Sequence, residues 1–146
     1  MVALGLLVAT CSGTSPTPIP SPTPSPAFPR PQTLTLVAAL GAGGATAQVV
    51  EVMRAESFAF FAVPAVRITV DGENVYVFEY TSVLEAEAEA QRISPSGFEV
   101  GLTHVDWISD PHFYRSGQVV VIYVGKTTTI LSLLQQLLGP QIAGRA

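Results

Sequence analysis

The stretch SPTPIPSPTPSPAFPRP places a proline at nearly every second position, and eight of the chain's twelve prolines fall between Pro16 and Pro31. Proline fixes φ and carries no backbone donor, so this tract can enter neither a helix interior nor a central strand and favours an extended polyproline II path. It therefore divides the chain. Residues 1–10 form an apolar, signal-peptide-like segment; residues 11–32 run from Cys11 through the Pro/Ser/Thr-rich linker; residues 33–146 read as one globular domain.

Charge follows the same division. Arg30 is the only charged side chain before Thr33, whereas residues 33–146 hold all eleven acids and six bases, a net charge of about −5. Those bases (Arg54, Arg67, Arg92, Arg115, Lys126, Arg145) are scattered and form no stripe interleaved with aromatics. Counterion release from phosphates needs clustered cations, so nucleic acid is not expected as a partner. The single cysteine excludes an internal disulfide, and a domain of this size can bury a sufficient core without one.

Met1 to Ala9 is an uncharged apolar run of about nine residues, far short of the roughly twenty that cross a bilayer as a helix and long enough for a signal-peptide core. No positive charge precedes it, so the expected start lies upstream. Leu7-Val8-Ala9-Thr10-Cys11 resembles the lipobox of bacterial lipoproteins, with Thr10 standing where that pattern has Gly, Ala or Ser. The resemblance implies that Cys11 carries the lipid anchor and becomes the mature N-terminus. About twenty linker residues at roughly 3.1 Å each would hold a folded head up to about 60 Å from the membrane. A catalytic role for Cys11 is not expected, since no cation or base stands near it in sequence to lower its pKa.

Within 33–146 the periodicities are readable. Leu34, Val37 and Leu40 predict a helix over 33–42, closed by Gly43-Gly44; Ala47 to Met53 predicts a strand. Ser57 to Val63 is expected as an irregular strand. Val66–Val70 and Val75–Tyr80, joined by Asp71-Gly72-Glu73-Asn74, make the clearest hairpin. Ser82 and Glu85 have capping-box spacing ahead of a helix to about Ile93. Leu102 to Ile108 is expected as a strand, Phe113–Arg115 and Gln118–Val124, joined by Ser116-Gly117, as a second hairpin, and Thr127 or Thr128 as the cap of a helix ending at Gly139-Pro140. Strand, strand, helix thus occurs twice. The expected fold is α+β, an antiparallel sheet with helices packed on one face.

The sequence offers few chemical motifs. Val124-Gly125-Lys126-Thr127-Thr128 is like the end of a phosphate-binding loop, but Val120 occupies the position that needs glycine, so helix capping explains the segment. No G-x-S-x-G elbow is present, and Glu85, Glu87 and Glu89 at i, i+2 spacing diverge on a helix. Phe58-Ala59-Phe60-Phe61 can line an apolar pocket or partner surface, or fill the core. The densest polar cluster is His104 to Arg115, in which His104, Asp106, Asp110, His112 and Tyr114 are the candidate ligand or partner residues. On a strand His104 and Asp106 share a face, and a turn at Asp110-Pro111 would bring His112 and Tyr114 back towards it. The simpler reading of this cluster is the solvent side of a hairpin.

PHFYRSGQVVVIYVG and the LLQQLLG helix are similar to uncharacterised domains of small exported bacterial lipoproteins, a resemblance that implies no particular activity. The expectation is therefore a lipoprotein on the extracytoplasmic side of the bacterial cell envelope. It would be held to the membrane by lipid and act without catalysis or cofactor, as a binding or adaptor module for a protein or envelope component. The alternative is a small-molecule or metal carrier that uses the His104–Tyr114 segment.

Overall fold

The computed structural model describes residues 30–145; Cys11 and most of the proline tract lie outside the described residues. The first helix, α1 (Pro31–Ala42), starts two residues before the sequence boundary because Pro31 sits at its first turn, where a missing N–H costs nothing. The chain continues through β1 (Ala47–Val52), a short 3-10 turn (Ala55–Phe58), β2 (Ala65–Val70), β3 (Glu73–Glu79) and α2 (Val83–Ala90). It then passes through β4 (Glu99–Val100), β5 (Thr103–His104), β6 (Pro111–Ser116), β7 (Val119–Val124), α3 (Thr128–Leu138) and β8 (Ala143–Gly144). Six strands form one antiparallel sheet in the order β1-β2-β3-β7-β6-β8, and β4 and β5 form a separate small hairpin. The α+β class and both strand-strand-helix passages are as the sequence indicates.

The β2–β3 hairpin closes through only two residues, Asp71 (φ 50°) and Gly72 (φ 88°), so Glu73 and Asn74 already belong to β3. Two consecutive residues with positive φ make the turn whose twist matches that of paired strands. Two other expected strands are corrected. Residues 57–63 fold as turns, and of 102–108 only Thr103 and His104 pair. Both segments carry aromatics that lie across the sheet instead of extending it.

The sheet is covered on both sides. On one face Val66, Ile68, Val70, Val75, Val77, Val121 and Tyr123 meet Leu36 and Leu40 of α1 and Ile130, Leu134 and Leu138 of α3. On the other, Phe78, Phe113, Val120 and Ile122 meet Ala86 of α2, Phe61, Ile93 and Val100. Helices on a single face therefore hold for α1 and α3 but not for α2. The physical reason is visible in β7: Val119 to Tyr123 is apolar without alternation and buried throughout, as a strand covered on both faces must be. A two-fold axis perpendicular to the sheet, relating β2-β3-α2 to β6-β7-α3, would leave α2 and α3 on the same side. Their opposite placement makes the echo one of order alone.

Carboxylates join the helices to the sheet. Glu79, 4% exposed, accepts from Thr33 N and Thr33 Oγ1 (both 2.9 Å) and from Gln32 N (3.2 Å), so a β3 carboxylate caps the N-terminus of α1. At α3, the Thr127 hydroxyl does not accept from the helix. It donates to Glu73 Oε1 (2.5 Å), while Tyr123 Oη donates to Glu73 Oε2 (2.5 Å) and accepts from Thr127 N (3.1 Å). For α2, Ser82 Oγ accepts from Glu85 N as the capping box requires, and Glu85 reaches back to Thr81.

Candidate functional site

Seven of the chain's twelve aromatic rings form one connected layer on the α2 face of the sheet. Phe58 lies 4.8 Å from Tyr76 and 5.3 Å from Phe78, centroid to centroid. Phe60 lies 5.1 Å from Phe61 and 6.1 Å from Trp107, and Trp107 lies 5.8 Å from Phe113. Most of these contacts are edge-on or tilted, the geometry that aromatic quadrupoles favour. Phe61, Phe78 and Phe113 are buried, whereas Phe58, Phe60, Tyr76 and Trp107 are only half-buried.

Those four half-buried rings, with Val105, Ile108 and Val124, line an open groove of about 480 Å³. Ser57, Asn74 and Asp106 supply polar groups at its edge, and Ile108 is fully exposed. A concave apolar surface with a few polar groups at its rim is the usual form of a small-ligand or short-segment site, and its volume lies in that range. Glu73 also borders the groove, but both of its carboxylate oxygens are held at the start of α3.

Trp107 is positioned by a definite hydrogen bond: its indole N–H donates to Gly97 O at 2.8 Å. Gly97 itself has φ 76°, and a Cβ there would stand 2.7 Å from Phe113 Cε2. Only glycine lets this turn press onto Phe113 while holding the indole. The Ser94–Gly97 turn that follows α2 thus also fixes one groove wall.

The five candidate residues from the sequence do not converge. His104 is exposed, its ring nitrogens 3.7 Å from Glu99 and 3.4 Å from Asp106. Asp106 stands on the groove edge with its side chain almost wholly in solvent. Asp110 pairs with Lys126 (3.3 Å) and Arg145 (3.4 Å). His112 and Tyr114 point to the opposite, α3 side of the sheet, where both are buried. There His112 is held between Gln141 Oε1 (2.8 Å) and Gly125 O (2.9 Å), and Tyr114 is core, with burial raising its hydroxyl pKa. The strand parity of β6, not the preceding turn, sends them away from Asp106. Among the described residues no three His, Cys, Asp or Glu side chains come together as a metal-ligand set.

The segment Gly125–Thr128 wraps no phosphate cradle: Val120 is mid-strand, Gly125 N donates to Asp110 O, and Lys126 faces Asp110. Sequence reasoning marked Phe58–Phe61 as a possible lining but missed Tyr76, Asn74 and Ile108. Tyr76 follows the alternation of β3, whose even positions face the aromatic layer, so its side was readable once the register was known. Among the described residues no helix is long and apolar enough to cross a membrane. No protein-family model matches the chain, and neither a curated protein nor a solved structure does.

Proposed function

We propose that this chain is a lipid-anchored, non-catalytic binding module of the bacterial cell envelope, which presents the Phe58–Trp107 groove to an apolar or extended segment of a partner. The groove is the observation that carries the binding reading: four half-buried aromatic rings around about 480 Å³, held open by neighbours that are themselves packed. Support for the location is the lipobox-like Leu7–Cys11 followed by the spacer. One acyl chain gives only marginal membrane binding, so a stable anchor at Cys11 needs more than one.

Trp107 is the chain's only tryptophan and lines the groove, which makes its emission a local reporter. Titration with anilinonaphthalene sulfonate is expected to quench Trp107 by energy transfer, and Tyr76→Asp is expected to weaken that binding at least tenfold. Equal binding by the variant would remove the groove as the site. The anchor is tested separately by intact mass of membrane-fraction protein: a chain beginning at Cys11 with acyl mass is expected, and an unacylated chain that retains Met1 overturns it.

A carrier for one small apolar molecule is the second reading, favoured by the groove's volume. Of the His104–Tyr114 segment, it uses Val105 to Ile108 and not the histidines. A saturable one-to-one stoichiometry with a small apolar probe, and no competition from extended peptides, would select it.

A further inference from the structure

The groove carries a sign of charge as well as an apolar lining. Two carboxylates belong to it, Glu73 and Asp106, and among the described residues that line it none is Lys or Arg. Glu73 accepts hydrogen bonds from Tyr123 and Thr127, which lower its pKa and keep it ionised. The Asp106 side chain is 97% exposed, and its described partner is the exposed His104 ring, 3.4 Å from Oδ1. Bases close by are matched. Arg67 pairs with Glu51 (2.9 Å) and donates to Asn74 Oδ1 (3.0 Å) at the groove edge. The turn that brings in Ser57 and Phe58 carries one charge of each sign, Arg54 and Glu56.

The walls suit a cation for a second reason. Aromatic faces are negative and aromatic edges positive. Phe60 meets Phe58 at 84° and Trp107 at 83°, with centroids 5.7 and 6.1 Å apart, so successive walls stand nearly at right angles and do not cover one another by stacking. These rings and Tyr76 remain half-buried, which leaves ring surface for an occupant. A cation placed over such faces is attracted, and the attraction grows as water is excluded. Arginine suits both parts of the groove: its guanidinium is planar and weakly hydrated, stacks on rings and pairs with a carboxylate.

We infer that the partner segment entering the groove is a basic one, whose arginine side chain lies against Phe58, Phe60 and Trp107 with its guanidinium on Asp106. This rests on the reading of the groove as the binding site and names the chemistry of what enters it. Glu73, its oxygens already held, adds attraction without contact. Ile108, fully exposed at the mouth, meets apolar neighbours of the arginine. The net charge of about −5 on residues 33–146 favours approach of such a segment from a distance.

The test follows Trp107 emission of the full chain with a capped five-residue peptide, one arginine between leucines, and with the same peptide carrying citrulline, which keeps the shape and loses the charge. The arginine peptide is expected to bind saturably and roughly tenfold more tightly than the citrulline peptide. Phe60→Leu keeps an apolar wall but removes a ring face, and is expected to weaken the arginine peptide about fivefold while hardly changing the citrulline peptide. Asp106→Asn, at a solvent-exposed position, is expected to weaken only the arginine peptide, by about threefold. Equal binding of the two peptides, binding of neither, or arginine binding indifferent to both substitutions each overturns the inference. The anionic dye reports the apolar walls alone and separates the two levels. Dye binding that falls in Tyr76→Asp while the peptides bind alike leaves the groove standing and removes its cation preference. Dye binding unchanged in Tyr76→Asp removes the groove, and this inference with it.

Discussion

At the scale of single residues, two carboxylates, Glu79 and Glu73, tie the starts of α1 and α3 to the sheet. Glu79 is buried and accepts three hydrogen bonds at the start of α1, one of them from the fully buried Thr33 hydroxyl. Glu79→Ala leaves those donors unpaired and is expected to cost about 2–4 kcal/mol in urea denaturation. Glu73 differs because its pKa direction is resolved. The hydrogen bond from Thr127, and then that from Tyr123, hold its carboxyl below the ordinary value of 4.5. A depressed carboxylate stabilises the fold above its unfolded-state pKa, and that contribution is lost as pH falls through the folded-state value. Glu73→Gln is therefore expected to cost about 1–2 kcal/mol near neutrality, partial exposure limiting the effect. The gap between variant and parent should be constant from pH 6 to 8 and shrink below about pH 4.5. A gap that widens in acid would exclude this network. Neither network was legible in sequence: Glu73 and Thr127 are 54 residues apart, and Glu79 and Thr33 are 46 apart.

At the scale of elements, local signals were read well where the chain itself sets the conformation. Asp71-Gly72 gives a tight hairpin, Ser82 and Glu85 begin α2, and Gly139 follows α3, each through the backbone's own geometry. Reading failed for 57–63 and 102–108, where β-branched and aromatic composition suggests strands. Those side chains bury their rings against the sheet face, and tertiary packing overrides the propensity. The 94–97 turn shows how a connection shapes the groove. Gly97→Ala would drive a Cβ into Phe113, 2.7 Å away, in a backbone conformation that L residues rarely adopt. The expected outcome is a red-shifted Trp107 emission and weaker groove binding, together with a stability loss of about 1–3 kcal/mol. Unchanged emission would mean that the Gly97–Trp107 contact does not set the wall.

For the whole molecule, β3 and β7 lie at the centre of the sheet and contribute alternate side chains to both cores. The two faces are therefore expected to unfold together. Leu134→Ala on the α3 side should cost about 2–5 kcal/mol. It should shift the Trp107 fluorescence midpoint, which reports the opposite face, as far as the far-ultraviolet circular dichroism midpoint. Separate midpoints would show two independently stable halves.

The sequence by itself determined the antiparallel α+β class and the order of most elements, because each follows from turn chemistry or short-range periodicity. Only the tertiary structure decided that both faces of the sheet are covered and that α2 opposes α3. It also sent His112 and Tyr114 to one side while Asp106 stayed on the other. Such choices depend on strand parity and on contacts between residues far apart in the chain, which no local pattern encodes. The aromatic groove is of this kind: Phe58, Tyr76 and Trp107 come from three separate segments, and their meeting is a property of the folded sheet alone.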